Sequence, residues 1–469
     1  MRRLSSFLRF NTLLRATACC ILLSASIVSA SGQDSVRRFN VVMIIVDDLN
    51  DWVGPLGGYP GIKTPNIDRL ARQGLTFRKA YCSAPACNPS RTSLLTGIRP
   101  STSGVYHNKQ PWRPVIPEAL TLPEHFDRSD YNVAGIGKIF HIPYNDLNVW
   151  PRFVPLPRDR EPARKPVTGK ADDSFDWAPM PDGDEVFSDY KVVESGIRFL
   201  NERHDRPFFL AVGVYKPHLP WYVPKKYFDL YPLDGVTIPS TREDDLEDVP
   251  PQGLLMARTR GDHEFILEKK LWPSAVQAYC ASISFVDAQI GRLLDALEKS
   301  PHRENTIVML LSDHGWHLGE KMHWRKFTLW EESTRVPLIA IVPGLTKPGS
   351  VCDRTVSLLD IYPTLVELCG LSPNPALEGV SLVPLLKDPA KTWHRPAVTT
   401  NGLGNHAVRS GRWRYIQYSD GTEELYDHES DPREWHNVAT FPAYRSVKEA
   451  LRKWLPPTNA ANAPFEGKD

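Results

Sequence analysis

Residues 39–46 read Phe-Asn-Val-Val-Met-Ile-Ile-Val and stop on Asp47-Asp48. A β-branched run with no polar alternation suits a strand covered by apolar groups on both faces, as in a parallel sheet. Similar runs recur at 132–137, 208–214, 306–311 and 338–342. Helical patterns separate them, at 66–73, 189–203, 275–299 and 357–369. Strand alternating with helix over this length predicts an α/β domain built on a mostly parallel sheet. Polar residues at the carboxyl ends of such strands gather along one edge, where these sheets place their sites.

The flanks of this pattern have a different character. Arg2, Arg3, Arg9 and Arg15 precede an uncharged stretch, 16–30, that ends Val28-Ser29-Ala30. A basic start, an apolar run and a small-residue cleavage site predict a secretory signal peptide over 1–30, so the mature protein is expected to be exported with no membrane anchor. After Leu386 short strand patterns appear at 397–401, 406–409, 412–418 and 423–426, with a last helix over 446–454. The expected organisation is therefore a catalytic domain over 31–386 and a smaller α+β subdomain over 387–469. The Pro-rich stretch 152–181 is expected to be a long surface loop. A hydrophobic fraction of 41% excludes a disordered chain. Lys and Arg number 56 against 55 Asp and Glu, so charge gives no reason to expect a nucleic-acid partner. Past the signal five cysteines remain, an odd count that leaves at least one thiol to explain.

One of them stands in Pro85-Ala86-Cys87-Asn88-Pro89-Ser90-Arg91-Thr92-Ser93-Leu94-Leu95-Thr96-Gly97. Pro89 fits the first position of a helix, which would put Cys87 just before the N-terminus, among unpaired backbone N–H groups and the positive end of the dipole. Arg91, one turn on, can turn its guanidinium back toward Cys87. Two acidic clusters far apart in sequence, Asp47-Asp48 and Ser312-Asp313-His314-Gly315, each follow a buried strand directly. They would meet at one sheet edge, and three carboxylates with one His suit a hard divalent cation, Ca²⁺ or Mg²⁺, rather than zinc.

Cys-x-Pro-Ser-Arg followed by an apolar pair and Thr-Gly resembles the signature of type I sulfatases. The resemblance implies an alkaline-phosphatase-like fold and hydrolysis of a sulfate ester. It implies that a formylglycine-generating maturation enzyme converts Cys87 to Cα-formylglycine, whose hydrated aldehyde is the nucleophile. It also implies one Ca²⁺, with Mg²⁺ as the alternative, held by Asp47, Asp48, Asp313 and His314 together with the modified Cys87. Gly137-Lys138-Ile139-Phe140-His141 is similar to the family's Gly-Lys-x-x-His element, so Lys138 would contact sulfate and His141 the nucleophile. By the same likeness His218, in Lys216-Pro217-His218-Leu219-Pro220, is a sulfate ligand and proton donor, and Lys326 the second sulfate-binding lysine. Singly, such residues are more often solvated than catalytic; four elements in the family's order argue otherwise.

Within the sulfatases the segments 137–141, 209–220, 281–291, 312–320, 335–343 and 378–382 are most similar to iduronate-2-sulfatases, while 106–117 and 152–181 look individual and are expected to form the substrate subsites. The expected substrate is a sulfated saccharide, a 2-O-sulfated uronate. Lys109, Arg113 and Lys216 are candidates to meet its carboxylate. Two other readings stand beside this one: a phosphonate monoester or phosphodiester hydrolase of the same superfamily, and a non-catalytic sulfated-glycan binder. A pseudo-enzyme usually lacks a central residue, and none of the expected ones is missing.

Overall fold

The computed structural model describes residues 38–171, 174–258 and 260–465. The signal peptide expected over 1–30 lies outside them. Among the described residues sixteen strands form four sheets. In chain order they are β1 (Asn40–Val46), β2 (Leu75–Tyr81), β3 (Asn132–Gly137), β4 (Arg152–Val154), β5 (Trp177–Met180), β6 (Phe208–Val214), β7 (Trp221–Pro224) and β8 (Thr306–Ser312). Then follow β9 (His317–Leu318), β10 (Trp324–Arg325), β11 (Arg335–Ile341), β12 (Ser350–Ser357), β13 (Ala397–Thr400), β14 (His406–Arg409), β15 (Trp413–Gln417) and β16 (Glu423–Asp427).

The main sheet has eight strands in the order β12-β2-β11-β8-β1-β6-β3-β4. Strands β8, β1, β6, β3 and β4 run parallel, whereas β11 is antiparallel to both of its neighbours. β1 shows why its sequence never alternates. Val42, Ile44 and Val46 face one apolar layer with Val276, Tyr279, Ile283 and Ile290 of the long helix Trp272–Lys299. Val41, Met43 and Ile45 face the other, with Leu94 and Leu95 of the helix Cys87–Thr96 and Leu365 of the helix Ile361–Cys369. Each such side chain contributes about 1.5–3 kcal/mol by leaving water, so a polar residue anywhere in the run would cost one layer or the other.

The expected helices are present with their ends shifted by a few residues, and the four C-terminal strands form one antiparallel sheet, β13-β14-β15-β16. Two readings need correction. The stretch 152–181 is not loop throughout: it opens with β4 and closes with β5, which pairs with β7. Cys87 is not outside its helix but its first residue, with Pro89 two positions further in. Pro is still tolerated there, because N–H groups in the first turn have no intrahelical partner. Cys82, Cys87, Cys280, Cys352 and Cys369 are all buried free thiols. Among the described residues no helix is long and apolar enough to cross a membrane.

The small sheet is bolted to the main one by polar contacts. Thr399 Oγ1 donates to Cys82 O at 2.6 Å and Thr400 N to Ser83 O at 2.9 Å, just ahead of the Cys87 motif. Arg414 on β15 is fully buried and pairs with both Glu331 and Glu434. Arg409 Nε adds a 3.2 Å contact to Glu331, and His428 Nε2 lies 2.7 Å from Glu434. Glu331, His428 and Glu434 bring donor atoms within 4.8 Å of one another, as a metal site would, but Arg414 already bridges the two carboxylates. Arg414→Met should destabilise the fold by about 3–5 kcal/mol, because two buried carboxylates lose a shared cation. The measurement is the denaturant midpoint at unchanged m-value. A change under about 1 kcal/mol, the range of exposed pairs, would show that the hub is not a structural bolt.

Candidate active site

Four adjacent parallel strands end at the same edge and each delivers chemistry there. β1 runs into Asp47 and Asp48, β8 into Asp313 and His314, β3 into Lys138 and β6 into the turn that carries His218. The helix Cys87–Thr96, every residue of it buried, points its N-terminus at that edge. The ten residues expected to act on sulfate or metal thus arrive at one place, whereas Lys109, Arg113 and Lys216, expected to meet a substrate carboxylate, do not join them.

The backbone there is shaped to bring the groups close. Asp48 has φ 62°, a conformation Asp tolerates better than most residues, and it turns the chain sharply after the strand. Tyr279 Oη donates to Asp48 O at 2.7 Å, and Leu49 N donates to Ser312 Oγ at 2.9 Å, which hold the turn. β3 and β6 nearly touch at their ends: Gly137 has φ 80°, and a Cβ on it would lie 2.1 Å from Gly213 O. Only glycine allows that approach, which lets Lys138 N donate to Gly213 O at 2.9 Å and aims the Lys138 side chain inward.

Cys87 Sγ lies at the centre, 3.0 Å from Lys326 Nζ, 3.3 Å from His314 Nε2 and 3.8 Å from Lys138 Nζ. His141 interacts electrostatically with the sulfur, and its buried Nδ1 has no hydrogen-bond partner among the described residues. Burial pushes the thiol up, but Lys138, Lys326 and His314 outweigh it and hold the group well below the usual thiol range. Around the sulfur three carboxylates face three permanent cations. Lys138 Nζ pairs with Asp47, and Lys326 Nζ pairs with Asp48 Oδ1 at 2.6 Å. Arg91 donates from Nε to Asp313 Oδ2 at 2.7 Å and from Nη2 to Asp47 Oδ1 at 3.2 Å.

Burial and the Cys87 thiolate both raise Asp47, yet Lys138 and Arg91 prevail and keep its carboxyl below the ordinary range. Asp313 goes the other way, pushed up to about 6 because burial outweighs Arg91. His314 is lowered by burial but lifted more by Asp313, to about 9. Burial lowers His141.

The donor set fits a hard cation. Oxygen, nitrogen and sulfur atoms of Asp47, Cys87, Asp313 and His314 all lie within 4.8 Å of one another, as do those of Asp47, Asp48, Cys87 and His218. Asp48 Oδ2 is buried and accepts no hydrogen bond, a costly condition that a cation would relieve. His314 Nδ1 lies 3.0 Å from Gly315 O, which can only accept, so in the neutral ring that a cation would require, Nε2 carries the lone pair toward the cluster.

Three expectations about charge are corrected by the packing. Arg91 does not turn its guanidinium to Cys87. Besides its two carboxylates it donates from Nη1 to the carbonyls of Lys138 and Ile139. Arg113 is taken up by Asp146 at 2.8 Å and Glu124 at 3.1 Å, and Lys216 by Asp159 at 2.9 Å and Pro220 O at 2.7 Å. Neither of these two is a spare cation for a substrate carboxylate. Lys109 is exposed.

The segment 106–117 is largely support rather than subsite. Tyr106, Gln110 and Trp112 are buried, Asn108 Oδ1 accepts from Asn88 N at 3.0 Å, and Asn88 Nδ2 donates to Gln110 O at 2.7 Å. Asn88, the variable position of the motif, is thereby a brace for Cys87 that sequence alone did not reveal. Tyr215 was also missed: its ring lies 4.6 Å from that of His218, with Lys138 Nζ 5.2 Å from its centroid. An aromatic just before Lys-Pro-His was the available signal. A pocket of about 380 Å³ adjoins the cluster, its lining shared between Lys138, His141, Tyr215 and His218 and the segment 156–161.

A sequence model of the family described as Sulfatase matches residues 39–371, most of the described chain. The chain belongs to the sulfatase family. A second model, described as N-sulphoglucosamine sulphohydrolase, C-terminal, matches 319–460. The sulfatase is 42% identical to a protein named sulfatase from Formosa agariphila, over 91% of this chain and 88% of the relative. It is 32% identical to iduronate 2-sulfatase of Mus musculus, over 78% of this chain and 74% of the relative. Its fold is shared by a phosphonate monoester hydrolase from Silicibacter pomeroyi, at a TM-score of 0.75, 21% identity and coverage of 89% and 94%. The sulfatase is thus a sulfuric ester hydrolase on an alkaline-phosphatase-like α/β scaffold.

Proposed function

We propose that this sulfatase removes the 2-O-sulfate of a uronic acid from a sulfated saccharide, with Cys87 matured to formylglycine by a maturation enzyme and one Ca²⁺ beside it. The observation that carries the reading is the position of Cys87 Sγ, within 4 Å of Lys326, His314 and Lys138 and ringed by Asp47, Asp48 and Asp313. That sulfur stands where the hydroxyls of the formylglycine diol would lie. The identity to iduronate 2-sulfatase supports the uronate. The basic and apolar N-terminus supports export.

Asp47, Asp48, Asp313 and His314 would hold the cation, which when bound supplies a Lewis acid for a sulfate oxygen. Matured, position 87 supplies a diol, one hydroxyl for attack on sulfur and the other for expelling sulfate from the enzyme ester. The remaining work falls to side chains. Lys138 and Lys326 place ammonium groups against the equatorial sulfate oxygens, where negative charge builds. Arg91 is a positioning residue that sets Asp47 and Asp313. In its imidazolium form His218 donates from Nδ1 to Leu219 O at 2.6 Å and turns the Nε2–H toward the site, 3.9 Å from Asp48 Oδ2, to give that proton to the departing sugar oxygen. His141, kept neutral by burial, takes a proton from the diol.

The test is desulfation of a panel by matured protein: a 2-O-sulfated uronate disaccharide, neutral sulfated sugars, an aryl sulfate and a phosphonate monoester. Sulfate release fastest from the uronate is expected. Turnover only of neutral sulfated sugars would overturn the uronate assignment. A phosphonate preference would move the protein to the neighbouring hydrolase group.

A further inference from the structure

We propose that Arg158 selects the substrate by pairing with a second oxyanion on the saccharide, a carboxylate or another sulfate, an inference that rests on the sulfatase reading above. The pocket beside the cluster joins Lys138, His141 and His218 to the short segment 156–161 in its wall. A sugar bound in this pocket, with its sulfate turned toward Cys87 past Lys138 and His218, would lie against that segment.

The segment is pinned rather than loose. Asp159 Oδ2 meets Lys216 Nζ at 2.9 Å, and the Lys216 side chain is 1% exposed. Asp159 Oδ1 accepts from Ser188 N at 3.2 Å and from Arg160 N at 3.0 Å. Lys216 is itself held by its backbone N–H, which donates to Asp189 Oδ2 at 2.9 Å, and it stands two residues before His218. One ion pair, between buried Lys216 and half-buried Asp159, thus fixes the rim to the turn that carries His218, and Arg158 is the neighbour of the pin.

The cations of this pocket differ in how they are engaged. Lys138 pairs with Asp47, and Arg160 Nε donates to Asp182 at 3.3 Å. Among the described residues Arg158 pairs only with Glu161, at 3.9 Å, and that carboxylate also holds Lys165 at 3.1 Å. With a side chain 90% exposed, Arg158 surrenders no strong partner when an anion arrives. Its planar fork suits carboxylate and sulfate, both of which accept two parallel hydrogen bonds. Leu156, Pro157 and Pro220 add apolar wall for the C–H face of a sugar ring. This supplies the positive group that Arg113 and Lys216 do not.

The experiment uses matured protein, an aryl sulfate and two substrate pairs that differ by one anion. The pairs are a 2-O-sulfated uronate disaccharide with its carboxyl-reduced counterpart, and a disulfated hexosamine with its monosulfated form. Arg158→Ala should lower kcat/KM for the charged member of a pair by about 10–100-fold relative to its partner, through KM. Arg158→Lys should recover part of that loss, since it keeps the charge without the fork. Wild-type preference should shrink with added salt and the Arg158→Ala preference should not. A loss confined to the uronate pair identifies a carboxylate, and one confined to the hexosamine pair a second sulfate. Equal losses in both members, no loss in either pair, or aryl sulfate turnover by a wild type that accepts neither charged saccharide would overturn the role of Arg158 and leave the sulfatase reading standing. A wild type inactive on all five compounds would overturn both.

Discussion

Cys87→Ala abolishes turnover, with an expected fall in kcat on the order of 10⁴-fold or more, the scale seen when a covalent nucleophile is removed. The reason is geometric. Lys326, His314 and Lys138 converge on one atom, and without a nucleophile there they polarise a sulfate that nothing attacks. The fold should survive, because the lost atom is small and the helix Cys87–Thr96 stays braced by Asn88 and by the apolar layer under Leu94 and Leu95. Cys87→Ser should be as inactive unless a serine-type maturation enzyme is present. Peptide mass analysis of active wild type should find formylglycine at position 87. Unmodified thiol throughout a fully active preparation would sink the mechanism.

Asp313→Asn is the second large effect, expected to cut activity on the order of 10³-fold or more by removing a charged ligand of the cation. It also frees Arg91, which then has Asp47 as its one remaining carboxylate partner at 3.2 Å. Chelation of wild type should give the same loss, reversed by added Ca²⁺, together with a lower melting temperature because the cation binds only the folded chain. Elemental analysis should return one Ca²⁺, or one Mg²⁺, per chain. Two zinc ions per chain would place the protein in the phosphatase branch, and full activity in Asp313→Asn would remove that residue from the ligand set.

Much of this was legible in the chain because it is local. β1, β3, β6 and β8 announce themselves as unbroken apolar runs, since a strand between two covered faces has no room for polar residues. β2 and β12 were not legible. Their patterns, Leu-Thr-Phe-Arg-Lys-Ala-Tyr and Ser-Val-Cys-Asp-Arg-Thr-Val-Ser, carry charges because the far side of the sheet is only partly covered there. The reversed direction of β11 was hidden for a different reason: a buried run reads the same in either direction.

The site divides along the same line. Which residue types are needed, and that Asp47, Asp48, Asp313 and His314 each follow a buried strand, could be read from sequence because strand ends set those positions. What each cation is bound to could not. Arg91, Arg113 and Lys216 are all simply cations in the sequence, yet each pairs with a carboxylate remote along the chain: Arg113 with Asp146, 33 residues on, Arg91 with Asp313, 222 residues on, and Lys216 with Asp159. Electrostatic pairing depends on distance in space and falls off within a few ångströms of contact. Only the folded chain decides which charges neutralise one another and which, like Arg158, still face the pocket.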